Sequence, residues 1–317
     1  MNGVSTLDLV LIQKHVLGLQ RLEDPYLVIA SDINNDGRVT ASDLVDLRQL
    51  ILGVTAELPS NDSWRFVDAA HQFTSPEAAF PFPEVVTIDN LSGNMPNQNF
   101  VGIKIGDVSG NAIANSLLSS GRSVAGRVAL QIEDTRVAAG ELVEVSLNSN
   151  DFAGIAAYQF TMELNGLEFV GATSEGVEVS EANFAVLDAN TVTAAWFSPE
   201  GVTASDLFTL TFKATTDVTL SEGLSLSSRV TDAKAYTATS EIMDVVLEYN
   251  TAGVAGFVLG QNTPNPFDNV TTIGFELPVA GTATLSVFDV TGKTISVIEN
   301  TYNAGYNTIE WVRSILS

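Results

Sequence analysis

Residues 32–43 read Asp-Ile-Asn-Asn-Asp-Gly-Arg-Val-Thr-Ala-Ser-Asp, and no other stretch of the chain restricts its fold so tightly. Asp32, Asn34 and Asp36 stand at positions 1, 3 and 5 of a loop, with Gly37 at the sharp turn of position 6. Arg38 offers its backbone carbonyl at 7, Thr40 sits at 9, and Asp43 closes the loop at 12. Calcium takes about six to eight hard oxygen ligands, and this spacing curls them around one point. A solvated Asn-Asp-Gly hairpin turn is the plainer reading, but a bare turn needs no carboxylate at both ends. Ca2+ is therefore the expected cofactor.

The flanks refine this. Pro25 to Ala30, before the loop, open on a helix breaker and are rich in β-branched and aromatic residues, unlike the helix that precedes an ordinary EF-hand loop. A helix is expected after it, over Asp43 to Leu52, apolar at 44, 47, 50 and 51 and stopped by Gly53. Residues 8–18 nearly repeat that helix, and Asn2 to Leu7 parallel the second half of the loop. This tandem of loop then helix, over residues 1–58, resembles the dockerin family, the calcium-dependent docking modules of polysaccharide-degrading complexes. The first copy lacks positions 1 and 3, so Asn2 and Asp8 remain as ligands of a weak second metal site. Either that copy is degenerate or the chain is a fragment of a longer protein, and a fragment is the expectation. The resemblance implies partner recognition by the two residues before each closing acid, here Thr6 and Leu7, then Ala41 and Ser42.

The chain has 317 residues, room for two or three domains. A net charge of −24 excludes a phosphate-backbone binder, so no nucleic-acid partner is expected. There is no cysteine, hence no disulfide or thiolate chemistry. No signal peptide and no transmembrane segment is legible.

Residues 59–112 read as an irregular, aromatic-packed appendage to the first module, with one alternating strand at Asn99 to Val108. Asp107-Val108-Ser109-Gly110-Asn111 starts like a calcium loop, but Ala112 replaces the turn glycine and no acid closes it. The favoured reading is a strand ending in a turn. A polar linker is expected at 113–124.

Residues 125–250 are all-β by pattern, with strict alternation in Tyr158 to Leu164 and in Phe208 to Lys213. Many short strands at this spacing argue for a two-sheet sandwich. The stretches GELVEVSLNSNDFAGIAAYQFTMELNGLEFVGATSEG and NTVTAAWFSPEGVTASDLFTLTFKA resemble the cohesin family, nine-stranded jelly-roll sandwiches related to some carbohydrate-binding modules. Asn165-Gly166 stands where that family has an Asp-Pro pair. The rings Tyr158, Phe160, Phe208 and Phe212 fall on the inward phase, and of the adjacent Trp196 and Phe197 only one can face the core. Protein binding is therefore the leading reading, with a polysaccharide as the rival ligand.

Residues 255–317 carry LGQNTPNPFDNVTTIGFELP, with a rigid turn at Pro264-Asn265-Pro266-Phe267 and a hairpin at Asp289 to Lys293. They resemble the C-terminal sorting domain of type IX secretion substrates of Bacteroidota, a small immunoglobulin-like sandwich cut short of its usual basic tail. That resemblance implies export through the type IX machinery to the outer-membrane surface or the medium. Among catalytic signatures, no G-x-S-x-G, P-loop or H-E-x-x-H occurs, and the only histidines are His15 and His71. The expected chain is multidomain and mainly β: an α-helical calcium-loop module, a jelly-roll sandwich, then an immunoglobulin-like sandwich. It is expected to be a non-enzyme with a protein partner for its first two modules. Having both halves of a docking pair on one chain also permits head-to-tail contact between copies.

Overall fold

The computed structural model describes residues 2–114, 124–149, 152, 154–174, 177–202, 206–250, 258–260, 262, 265, 267, 269–277, 280–289, 293–303 and 305–312. Most of the expected linker, Pro264 and Pro266 of the rigid turn, and the last five residues lie outside that set. The chain is mainly β and divides into two compact units, Met1–Ile132 with Arg136–Tyr249, and Glu133–Thr135 with Asn250–Ser317.

The first unit opens with three helices, α1 (Thr6–Val16), α2 (Pro25–Ser31) and α3 (Ala41–Ile51). Ser5 and Thr40 cap α1 and α3 with matching capping boxes closed by Asp8 and Asp43. Helix α2 corrects the reading of Pro25 to Ala30 as non-helical. Asp24 is its N-cap, accepting the Tyr26 N–H, and Pro25 sits in the first turn, where it breaks nothing. Strands β1 (Trp64–Asp68) and β2 (Phe100–Lys104) then pair antiparallel. Ile103, Ile105, Val108 and Val67 join Leu9, Ile12, Ile29, Ile33, Leu47 and Ile51 in one buried cluster. The segment after residue 58 thus completes the helices' core.

The next strands are β3 (Gly126–Glu133), β4 (Arg136–Val137), β5 (Leu142–Asn148), β6 (Ile155–Leu164), β7 (Leu167–Thr173) and β8 (Phe184–Asp188). They are followed by β9 (Thr191–Phe197), β10 (Asp206–Ala214), β11 (Val218–Thr219), β12 (Leu224–Ser227), β13 (Lys234–Thr237) and β14 (Ile242–Asn250). Ten of these are hydrogen-bonded together, along a path in the order β7-β10-β5-β3-β14-β13-β6-β9-β8 with β12 as a branch on β6. β6 and β10 lie well apart along that path, yet Tyr158 and Phe208 stack at 5.2 Å. The path therefore folds back into two layers around a core of Phe160, Phe212, Leu147, Val192 and Trp196.

Buried positions in β6 and β9 fall on both phases. Ala157, Gln159 and Thr161 alternate with the core side chains, as do Thr193 and Ala195, and none of these five is more than 4% exposed. An antiparallel strand buried on both faces must be covered from outside.

The second unit holds β15 (Val258–Leu259), β16 (Val270–Leu277), β17 (Gly281–Phe288), β18 (Thr294–Tyr302) and β19 (Gly305–Val312). Sheet β15-β16-β19 and hairpin β17-β18 share a small core of Phe275, Leu277 and Ile309, with Phe275 edge-on to Tyr302 at 4.9 Å.

Candidate functional site

The loop at 32–43 leads from α2 into α3. Asp43, fully buried, receives the N–H groups of Ile33 (2.8 Å) and Asn34 (3.3 Å) on Oδ1. Its Oδ2 receives the Thr40 N–H at 2.8 Å and the Thr40 hydroxyl at 3.3 Å. Asp32 receives Asp36 N–H on Oδ1 and Gly37 N–H on Oδ2, both at 3.0 Å. Asn35 at position 4 has φ 60° and Gly37 has φ 79°. Asn34 and Arg38 complete the set: the Asn34 amide donates to Ser42 Oγ, and the Arg38 N–H donates to Asp36 Oδ1.

The same pattern recurs at the start of α1, assembled from two distant pieces of chain. Asp8, also fully buried, receives the N–H groups of Val108 (2.9 Å) and Ser109 (2.8 Å) on Oδ1. Its Oδ2 receives the Ser5 N–H at 2.8 Å and the Ser5 hydroxyl at 3.1 Å. Asp107 receives Asn111 N–H on Oδ1 at 3.0 Å and Ala112 N–H on Oδ2 at 2.7 Å. Gly110, again at position 4, has φ 69°. Every bond of the intact loop around its first and last acids thus has a counterpart here. The left-handed turn moves to Gly3 (φ 80°), where a Cβ would stand 2.6 Å from Ala112. Asn2 stitches the junction, its amide donating to Ile113 O at 2.7 Å and accepting the Ile113 N–H at 2.9 Å.

This geometry extends the reading of residues 107–111, which lie at the turn after β2 and also reach the closing acid of α1 through the Val108 and Ser109 N–H groups. Asn2, the other residue expected beside Asp8, bonds the Ile113 backbone. Asp107-x-Ser109-x-Asn111, at positions 1, 3 and 5, is the legible signal, and its closing acid lies about a hundred residues upstream.

Burial and like charge act on the acids of both loops. Burial pushes the Asp8 carboxyl up to about 7, with a further push from Asp107. Asp32 is raised by burial, then by Asp43 and Asp36. Asn111 Oδ1 is shut off from solvent with no hydrogen-bond partner. The donor set in each loop is carboxylate, amide and hydroxyl oxygen, which suits a hard divalent cation. Among the described residues no group of three or more Asp, Glu or His side chains lies close enough to form a finished cage. The carboxylates are held apart by backbone N–H groups instead.

What covers β6 and β9 is the helical module. Leu7 and Val10 pack with Ala156, Ala157 and Tyr236, and Ala195 lies in the same cluster as Leu47 and Ile51. The Thr6 N–H, one of the unpaired donors of the helix start, goes to Gln159 Oε1 at 2.8 Å, and Gln159 Nε2 donates to Thr231 at 2.6 Å. At the far end of α3 the Thr193 hydroxyl donates to the Leu52 carbonyl at 2.6 Å. Arg48 lies over the Phe197 ring at 5.7 Å, so Trp196 takes the core and Phe197 faces the helices. Of the four residues expected to recognise a partner, Thr6 and Leu7 lie in this seam, whereas Ala41 and Ser42 are exposed. Gln159 and Thr193 bond across this seam, which the sequence did not reveal, since a polar outward phase reads as solvated.

The profile of the dockerin type I domain matches residues 2–56. That stretch is dockerin-like. No curated protein matches the chain. Solved structures of similar fold include the sixth cohesin of scaffoldin B from Acetivibrio cellulolyticus, in complex with a Cel5 dockerin, at 14% identity and TM-score 0.31. That match covers 39% of this chain and 99% of the other. Others are a type I cohesin–dockerin complex from Clostridium thermocellum (14%, TM-score 0.32, 41% and 94% covered) and a non-cellulosomal cohesin from Archaeoglobus fulgidus (14%, TM-score 0.29, 39% and 88%). No described helix is long and apolar enough to cross a membrane.

Proposed function

We propose that this chain is a non-catalytic, calcium-organised interaction region of an exported protein, whose dockerin-like module and cohesin-like sandwich are partners for each other. The observation that carries the reading is the seam, in which Thr6 and Leu7, the residues expected to recognise a partner, lie against β6 and β13 of the same chain. Two sites would hold Ca2+. Asp32, Asn34, Asp36, Thr40 and Asp43 form the first, with the Arg38 carbonyl; Asp107, Ser109, Asn111, Ser5 and Asp8 form the second. A bound ion neutralises carboxylates that otherwise repel one another, so its binding free energy becomes folding free energy.

The resemblance of the last segment supports type IX export to the cell surface or medium, and the dockerin match supports a setting in extracellular polysaccharide degradation. Among the described residues of the sandwich no aromatic side chain is exposed, which weighs against the glycan-binding alternative. Tyr158, Phe160, Trp196, Phe208 and Phe212 are all buried in the sandwich core.

Calorimetric titration of the whole chain with calcium tests the metal assignment. Two ions are expected, falling to one in Asp32→Ala and to one in Asp107→Ala. A single ion that Asp107→Ala leaves untouched would reduce the second loop to a structural turn.

A further inference from the structure

The ribbon β1–β2 has one face in the core of the helical module and one in solvent. Arg65, Val67, Val101 and Ile103 alternate inward, with Val67 and Ile103 buried and Arg65 over the Phe82 ring at 4.9 Å. On the other face the register sets Trp64 opposite Lys104, Phe66 opposite Gly102 and Asp68 opposite Phe100. Phe66 is 51% exposed, Phe100 is 42% exposed and Trp64 is half-buried. Tyr26, Phe73, Phe80 and Phe82 pack on the module's core, with Tyr26 edge-on to Phe73 and Phe80 beside Phe82. Among the described residues, Trp64, Phe66 and Phe100 join neither a hydrophobic cluster nor another ring. Three rings left toward water on so short a ribbon need a reason that the core does not supply.

The three rings form a row. Trp64 and Phe66 stand about 7 Å apart along β1, and the register sets Phe100 one more step of about 7 Å along the ribbon. Gly102 lies exposed in the middle of β2, in ordinary extended backbone, so no turn calls for glycine there. A Cβ on Gly102 would instead meet Phe66 at 3.3 Å and Trp64 at 3.8 Å, so the missing side chain lets both rings lie over the ribbon. At its Trp64 end the row meets a cavity of about 520 Å³, lined by Glu57, Asn61, Asp62, Ser63, Trp64 and Lys104 among others. The Lys104 ammonium is engaged within the protein, donating to Ser63 Oγ (2.8 Å), Ser63 O (3.3 Å) and Ile105 O (3.4 Å). Glu57 and Asp62 are exposed beside it, and their carboxylates accept hydrogen bonds and repel anions.

A row of flat rings suits a ligand with flat apolar faces, and acceptors with no spare cation suit one that carries hydroxyl donors and no negative charge. A pyranose has both, with C–H groups on its faces and hydroxyls around its edge. A protein partner is disfavoured by size. Aromatic side chains bury about 150–250 Å² each, so three of them fall short of the roughly 800 Å² a side of a standard protein interface. A lone cationic group is disfavoured by the layout, because it sits over one ring or among rings that converge, and these are strung out in line. We infer that the outer face of β1–β2 is a glycan-binding platform, on which Trp64, Phe66 and Phe100 stack against an extended, neutral, β-linked polysaccharide while Glu57 and Asp62 accept hydroxyls at the Trp64 end. The platform lies outside the sandwich and rests on neither the calcium loops nor the seam.

Calorimetric titration of the whole chain in saturating calcium tests the platform. The neutral probes are cellohexaose, xylohexaose and mannohexaose, and the charged ones are hexagalacturonic acid and hexalysine. At least one neutral hexasaccharide is expected to bind, and Phe66→Ala and Phe100→Ala should each weaken it about tenfold. Both side chains are exposed and outside every cluster, so the melting temperature should hold in these variants. Gly102→Val keeps all three rings and suits a strand, and should weaken binding as well by lifting Phe66 and Trp64 off the ribbon. If a phenylalanine variant fails to fold, Gly102→Val decides. Neutral-sugar binding that survives all three substitutions would overturn the placement on this face. Binding of hexalysine alone would make the row a cation site and overturn the glycan reading. Failure of every probe to bind would overturn it too, and a lowered melting temperature in both phenylalanine variants would then assign the rings to shielding the ribbon's own hydrogen bonds.

Discussion

The intact and split loops hold matching hydrogen bonds around their first and last acids, but they do not cost the chain the same. The intact loop closes within a dozen consecutive residues. The split loop must bring Asp107 and Val108 to Asp8 across |i−j| of about 100, and a tenfold longer closure costs about 2 kcal/mol more in chain entropy. That cost is offset by what the closing segment buries, since Ile103, Ile105 and Val108 complete the helical core. The split loop also has two carboxylates, Asp8 and Asp107, where the intact loop has Asp32, Asp36 and Asp43. One calcium-loop pattern can therefore be made locally or by tertiary structure, and only the second version ties distant segments together. The largest expected effect follows: at calcium a thousandfold above Kd, each site contributes about 4 kcal/mol, and EDTA should remove both contributions. Thermal melts with and without EDTA check this, and identical melting curves would remove calcium from the account.

The next effect separates the loops. Asp32 and Asp107 each accept two backbone N–H groups, so without calcium Asp32→Ala and Asp107→Ala should cost alike, about 1–3 kcal/mol. With calcium both should cost more, Asp32→Ala the most because its site has the greater charge. Urea denaturation in the two conditions measures the difference. If Asp107→Ala costs the same with and without calcium, residues 107–112 hold the fold but no ion.

Much of this is legible where the relevant residues are neighbours in the chain. The residues proposed as ligands in the intact loop lie in one window, and the inward aromatics of β6 and β10 follow from strict alternation. Three features are not. Helix α2 is hidden because Pro25 reads as a breaker, when Asp24 before it makes it a helix start. The split loop is hidden because neither half is a motif alone. The buried outer phase of β6 is hidden because Ala157, Gln159 and Thr161 look like a solvated face until the helices that cover it are placed. The first miss is a local cap, whereas the other two are contacts made by tertiary structure, which periodicity in a single segment cannot report.

The comparison extends from the loops to the residues that precede their closing acids. Leu7 is 1% exposed and packs on Ala156, Ala157 and Tyr236, so Leu7→Ala should cost about 3 kcal/mol through lost burial and the cavity left behind. Ser42, the matching residue on α3, is exposed, so Ser42→Ala should fall within about 0.5 kcal/mol of the parent. Equal small effects would mean that the seam is not what stabilises α1.

The smallest difference tests where each loop makes its turn. Gly37 has φ 79°, and a Cβ placed there would find nothing within 4 Å, so Gly37→Ala meets only the backbone penalty of the left-handed region, about 1 kcal/mol. Its counterpart in the bonding pattern, Ala112, donates to Asp107 as Gly37 does to Asp32, but the left-handed residue of the split loop is Gly3. A Cβ on Gly3 would meet Ala112 backbone at 2.6 Å as well as the φ of 80°, so Gly3→Ala should cost clearly more than Gly37→Ala. Ala112→Gly should bring no gain beyond a few tenths of a kcal/mol, because nothing at that position needs the extra freedom. Stability curves of the three variants in saturating calcium decide it. A cost at Gly3 no greater than at Gly37 would mean that residues 3 and 112 are not pressed together, and that the split loop is looser than the intact one it copies.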